Sequence, residues 1–200
     1  MIKELKADLL KHAVDISGII QTQTPDGVKF DVNLVGNLSA AELMSQQQID
    51  LPIDGLSEWN INITNPDSRL HMDMRSELVG TSVNLPAPLN KMTETDKLFQ
   101  LSCDLPCIES SVSLNYGNEI IGKLSSDSDG LNIEQLQFKR PKEPENQQTL
   151  LGGHIAHLDV DRWLTQAKQW AQGTEVSENG NEETNLWPLP EKSFSLVVDD

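Results

Sequence analysis

The chain has 200 residues, 37% hydrophobic and only 4% aromatic, and its 15 basic against 31 acidic side chains leave a net charge of -16. That length suits one domain or a section of a longer protein, and the modest apolar content leaves part of the chain with little to pack against. Charge of this sign is repelled by phosphate, which excludes nucleic acid as a partner and charge-driven docking onto an anionic membrane surface.

Lys3, Glu4, Lys6 and Asp8 stand where a secretory signal would carry its apolar stretch. No segment approaches the roughly 18 apolar residues of a bilayer span, so the chain reads as soluble. In the first dozen residues Ile2, Leu5, Leu9 and Leu10 suit a helix, whereas Leu5, Ala7 and Leu9 also alternate, and the strands that follow favour a strand. Val14, Ile16, Gly18 and Ile20 alternate before the turn residues Pro25, Asp26 and Gly27, and Val28, Phe30, Val32 and Leu34 alternate after them, which predicts a hairpin. Ser39 and Glu42 have capping-box spacing and predict a short helix over 39–45.

Three further strands are predicted: 58–64 with Trp59, Ile61 and Ile63 on one face, 69–80 with Leu70, Met72, Met74 and Leu78, and 110–116 with Val112, Leu114 and Tyr116. Asn65, Pro66 and Asp67 form the turn that places the first two antiparallel. A second hairpin joins 119–124 to 131–138. Leu131 and Ile133 share one parity in its second arm and Leu136 and Phe138 the other, which calls for a bulge near Glu134 or Gln135. Residues 141–146 read as a solvated loop.

Trp163, Leu164, Ala167, Trp170 and Ala171 fall at helical spacing over 161–172, with Asp159 or Asp161 as cap and Gly173 as stop. Residues 174–185 carry four glutamates and no basic residue and read as an acidic mobile loop. Within 186–200 a new β unit begins, in which Phe194, Leu196 and Val198 alternate without a partner strand in the chain. That truncated start suggests a fragment whose main β-rich part is 1–173.

Chemical motifs are sparse. Cys103 and Cys107 would lie about 13 Å apart in a continuous strand, so a disulfide needs a turn over Asp104 to Pro106. Their spacing matches neither a redox motif nor a zinc knuckle, and two unpaired thiols are preferred over the bridge. Asp127, Ser128, Asp129 and Gly130 fail the calcium-loop pattern, which would put Leu136 at its bidentate acid. His154 and His157 would point to opposite faces of a strand, so no metal site is expected. No nucleophile elbow or phosphate loop occurs, so the chain is expected to have no catalytic residues, no cofactor and no enzymatic activity.

Gly55-Leu56-Ser57-Glu58-Trp59, the run from Leu78 through Leu85-Pro86-Ala87-Pro88-Leu89-Asn90-Lys91, and Gly152-Gly153-His154-Ile155 leading to Leu158-Asp159-Val160-Asp161-Arg162-Trp163 resemble the YhdP family of AsmA-like envelope proteins. The match covers about Gly55 to Trp163. Leu85, Pro86, Ala87, Pro88, Leu89, Lys91, Asp159 and Trp163 carry the family motif, whereas the cysteine pair and the acidic loop lie outside it. The family's inner-membrane anchor is absent from this sequence, which implies an interior piece of a longer chain.

The resemblance implies a mainly β fold, an extended, curved antiparallel sheet open like a gutter, in the periplasm. Its apolar face would shield the acyl chains of phospholipid passing between inner and outer membranes. By strand parity the lipid-facing residues would be Val28, Phe30, Val32, Leu34, Trp59, Ile61, Ile63, Leu70, Met72, Met74, Leu78, Val112 and Leu114. Periodicity alone favours a closed β-sandwich that binds another ligand or serves as scaffold, and the resemblance reverses that order.

Overall fold

The computed structural model describes residues 2–24, 27–45, 51–65, 69–107, 110–127, 130–138, 151–155, 158–173 and 197–198. The turn residues Pro25, Asp26, Pro66 and Asp67, the segments 141–146 and 174–185, and His157, Phe194 and Leu196 lie outside these. In chain order the first elements are β1 (Ile2–Leu9), β2 (His12–Thr24), β3 (Gly27–Leu38), α1 (Ala40–Ser45), β4 (Ile53–Gly55), β5 (Ser57–Thr64), β6 (His71–Ser76) and β7 (Thr81–Val83). They are followed by β8 (Phe99–Asp104), β9 (Val112–Tyr116), β10 (Ile120–Asp127), β11 (Gly130–Phe138), β12 (Leu151–Ile155), α2 (Val160–Gly173) and β13 (Val197–Val198).

Among the described residues the strands form an eleven-stranded sheet in the order β1-β2-β3-β5-β6-β8-β9-β10-β11-β12-β13, and β4 pairs with β7 in a small second sheet. From β1 to β11 every neighbour is antiparallel, while β12 joins β11 and β13 joins β12 in parallel. The order is linear and does not close into a barrel. The fold is therefore mainly β, one large open sheet with two short helices.

Local chemistry accounts for most of these elements. The N-terminal segment is a strand, joined to β2 by Leu10 and Lys11, whose φ angles of 50° and 68° are those of a two-residue type I′ turn. Neither residue favours that region, so the pairing of Leu9 with His12 imposes it. Ser39 Oγ accepts from the Glu42 N–H at 3.3 Å to cap α1, and Asp159 Oδ1 accepts from the Arg162 N–H at 3.0 Å to cap α2. In β11, Lys123 faces Gln135 and Leu124 faces Ile133, so Glu134 is the extra residue of a bulge. That bulge shifts the pairing phase of β11 between Ile133 and Gln135.

Three expectations are corrected. β8 lies between β6 and β9, where no strand is predicted, although Phe99, Leu101 and Cys103 alternate. The strand predicted over 69–80 ends at Ser76, because Ser76 Oγ accepts the Leu78 N–H at 3.0 Å and the chain turns back. The C-terminal strand has a partner in the chain: Val197 and Val198 pair with His154 and Ile155.

Register puts most apolar residues of β1 to β10 on one side of the sheet, with Ile19, Val35 and Ile121 on the other. Leu5, Ile16, Leu34, Ile61, Met74, Leu101 and Leu114 form one cross-strand row. Gly18, Val32, Ile63, Met72, Cys103, Val112 and Leu124 form the next. The core lies at one end of this face, where Val14, Trp59, Tyr116 and Ile120 are buried with Leu38, Ala40 and Leu78. Trp59 meets Phe99 edge to face at 5.4 Å.

Candidate functional site

A cap covers the core end of the apolar face, with Leu43 from α1, Ile53 from β4 and Leu89 packed onto the core. Two motif glycines let it close. Gly55 and Gly80 have φ of 103° and 93°, and a side chain on Gly55 would run into the Gly80 carbonyl, one on Gly80 into the Leu56 carbonyl. Beneath the cap Ser76 Oγ donates to the Glu58 carbonyl at 2.7 Å, and Thr81 Oγ1 donates to Ser57 Oγ at 3.1 Å. All three hydroxyl residues, Ser57, Ser76 and Thr81, are buried.

The family-motif residues build that cap. Leu85 and Pro86 are buried. Tyr116 Oη donates to the Leu89 carbonyl at 2.8 Å, Lys97 Nζ to the Pro88 carbonyl at 3.0 Å, and Trp163 Nε1 to the Ala87 carbonyl at 2.8 Å. Lys97 Nζ also sits 4.4 Å over the Tyr116 ring. Lys91, 5% exposed, donates from Nζ to the carbonyls of Thr81 and Met92 at 2.7 and 2.8 Å. Burial pushes its pKa down and that of Tyr116 up. Lys91 is thus a structural cation tying two strands of loop together, while Asp159 caps the N-terminus of α2 and Trp163 fastens that helix to the cap.

Away from the cap the face opens. Val32, Leu34, Ile63, Met72, Met74, Val112 and Leu114 are half-buried, as is Phe30, while Ile20 at 44%, Val28 at 52% and Leu70 at 40% are exposed. A sandwich would bury these positions under a second sheet. Among the described residues the second sheet is the pair β4 and β7, which lies at the core end. The structure places Trp59, Ile61 and Leu78 in the closed core, with exposures of 2%, 6% and 4%. Sequence reasoning missed Phe99, Leu101 and Cys103, which join the face from β8, and Ile16 and Ile20 of β2 were read as strand residues without being placed on it.

Cys103 and Cys107 are disulfide-bonded, with Cα atoms 5.4 Å apart, which corrects the preference for free thiols. The turn that a bridge requires is present: the Leu105 N–H donates to the Leu70 carbonyl at 2.7 Å, and Ser110 Oγ donates to the Asp104 carbonyl at 2.6 Å.

On the opposite, polar face His71 Nδ1 lies 2.8 Å from Asp104 Oδ1, Ser102 Oγ lies 3.1 Å from His71 Nε2, and Asp73 approaches the same nitrogen at 3.5 Å. Ser102, His71 and Asp104 are thus linked in series across β6 and β8. The hydrogen bond to Asp104, with the charge of Asp73, raises the His71 pKa against an opposing burial effect. β8 is bonded on both edges by β6 and β9, so its N–H groups serve the ladders. The cluster is an interstrand clamp. No group of three or more potential metal ligands occurs among the described residues.

An open sheet with one mainly apolar face, capped at one end and half-exposed at the other, defines an open-sheet β protein. The chain belongs to the YhdP family: the profile described as YhdP protein matches residues 1–196. That membership suggests an AsmA-like envelope protein. No curated protein and no solved structure matches the chain. No helix among the described residues is long and apolar enough to cross a membrane.

Proposed function

We propose that this chain is a segment of a periplasmic bridge, part of an inner-membrane-anchored envelope protein, whose apolar trough shields phospholipid acyl chains between the inner and outer membranes. The carrying observation is the exposure gradient along one continuous apolar face, from the buried Trp59 to the exposed Ile20, Val28 and Leu70. Taking a sixteen-carbon tail into water costs on the order of 12 kcal/mol at about 0.8 kcal/mol per methylene. Rows of apolar side chains crossing strands about 4.8 Å apart offer a sliding tail a new contact for each one lost. Met72 and Met74 suit this role, because unbranched thioethers adapt to moving partners. The head group stays in water, where a protein of charge -16 does not hold an anionic one.

Family membership supports the reading and so does the open strand order. The test is to purify the chain from a Gram-negative host without harsh detergent, extract it with organic solvent and count phospholipid per protein by mass spectrometry. Near-stoichiometric phospholipid is expected. A folded chain that carries none overturns the trough and returns the protein to a binding or scaffold module.

A further inference from the structure

Cys103 breaks the pattern of its own row. Its cross-strand partners Met72 and Val112 are half-buried, yet Cys103 is 1% exposed. Strand alternation sends the Cys103 side chain to the apolar face, since its neighbours Ser102 and Asp104 reach His71 on the polar face. A sulfur on that face bonded to Cys107 draws the turn after β8 back over the apolar side. Cys107 itself is half-buried, the more exposed residue of the pair.

We infer that the Cys103–Cys107 disulfide holds the turn 104–107 as a removable cover on the open part of the trough, and that a dithiol reductant uncovers it for acyl chains. This rests on the trough reading above. The thiolate of the reductant attacks Cys107 Sγ, the S–S bond breaks, and Cys103 leaves as a thiolate that takes a proton. The second thiol of the reductant then attacks its own sulfur in the mixed disulfide and releases Cys107 as a thiol. Two electrons and two protons pass to the protein, and the dithiol becomes a cyclic disulfide. Opening the turn leaves the ladders of β8 to β6 and β9 in place, because they end at Asp104 and Val112.

The test compares the full chain oxidised, reduced with dithiothreitol, and as Cys103→Ala/Cys107→Ala, by hydrogen exchange and by fluorescence titration with cis-parinaric acid. Opening the disulfide is expected to speed exchange of the Leu105 amide while β5 and β6 stay protected. It is also expected to tighten probe binding by about threefold or more, since apparent affinity scales with the open fraction. Equal probe binding by oxidised and reduced chains overturns the cover and leaves the trough standing. Binding by none of the forms overturns the trough, and the cover with it. If the double variant unfolds by circular dichroism, the reduced natural chain decides.

Discussion

Trp163 donates its indole N–H to the backbone carbonyl of Ala87 at 2.8 Å, across 76 positions of sequence. Through this bond the second half of the family motif holds the first, and α2 is pinned to the cap. Trp163→Phe keeps the ring and removes the donor, and is expected to cost about 1 kcal/mol in urea unfolding. Hydrogen exchange along α2 should rise in parallel, a change absent if the indole contributes only area.

Lys91 places a buried ammonium between the carbonyls of Thr81 and Met92. Lys91→Met preserves most of the volume and strips both carbonyls of a charged donor, a loss of about 2 kcal/mol or more. The denaturation midpoint is expected to fall with an unchanged slope, and acyl binding by the folded fraction should persist.

Charge placed on the two ends of the apolar face separates core from trough. Ile61→Glu puts a carboxylate at a position 6% exposed and is expected to unfold the chain, at about 4 kcal/mol. Ile20→Glu falls at a position 44% exposed, should fold, and should carry less phospholipid after purification. Equal lipid content in the natural chain and Ile20→Glu would move the binding face elsewhere.

The His71 clamp sets a pH dependence. Its pKa is raised in the folded chain, by the hydrogen bond to Asp104 first and the charge of Asp73 with it, against an opposing burial effect. The folded state holds the proton more tightly, so the contribution is complete below the ordinary value of 6.5 and disappears as pH rises through the higher folded value. The stability difference between the natural chain and His71→Asn should therefore shrink from mildly acidic to alkaline pH. A difference that grows with pH would reverse the assignment.

Leu10 and Lys11 occupy left-handed backbone without the residues that prefer it. Leu10→Asn/Lys11→Gly supplies the favoured pair for a type I′ turn and is expected to stabilise the chain by about 1–2 kcal/mol. A thermal midpoint that does not rise would show that Leu10 contributes packing worth as much as the relieved strain.

The hairpins, a bulge near Glu134 or Gln135, the Ser39 cap and a second cap at Asp159 or Asp161 were legible because each is encoded within a few residues: alternation, a phase change, a side chain three positions from an N–H. β8 carried its alternation too, but it follows a long irregular stretch and ends in the Asp104 to Pro106 turn. Without it neither the full apolar face nor the His71 cluster can be drawn, since Ser102 and Asp104 meet His71 only through the register of β6 with β8. The cap was recognisable as a motif and not as a structure. Its glycines and prolines have no period, and their meaning lies in carbonyls that accept from Lys97, Tyr116 and Trp163. Which apolar residues are closed in and which stand open depends on that cap, so parity alone grouped Trp59 with Val28.

The nearly sequential strand order has a consequence for assembly. From β1 to β11 each strand of the large sheet docks on the one before it, with only β4 and β7 set aside. Contacts of this kind are short in sequence, so little loop entropy opposes each addition and growth can proceed strand by strand. Every intermediate length, however, ends in a bare ladder edge beside uncovered apolar side chains, the combination most prone to pair with another chain. Folding of this protein is thus a race between its own next strand and a neighbour's edge.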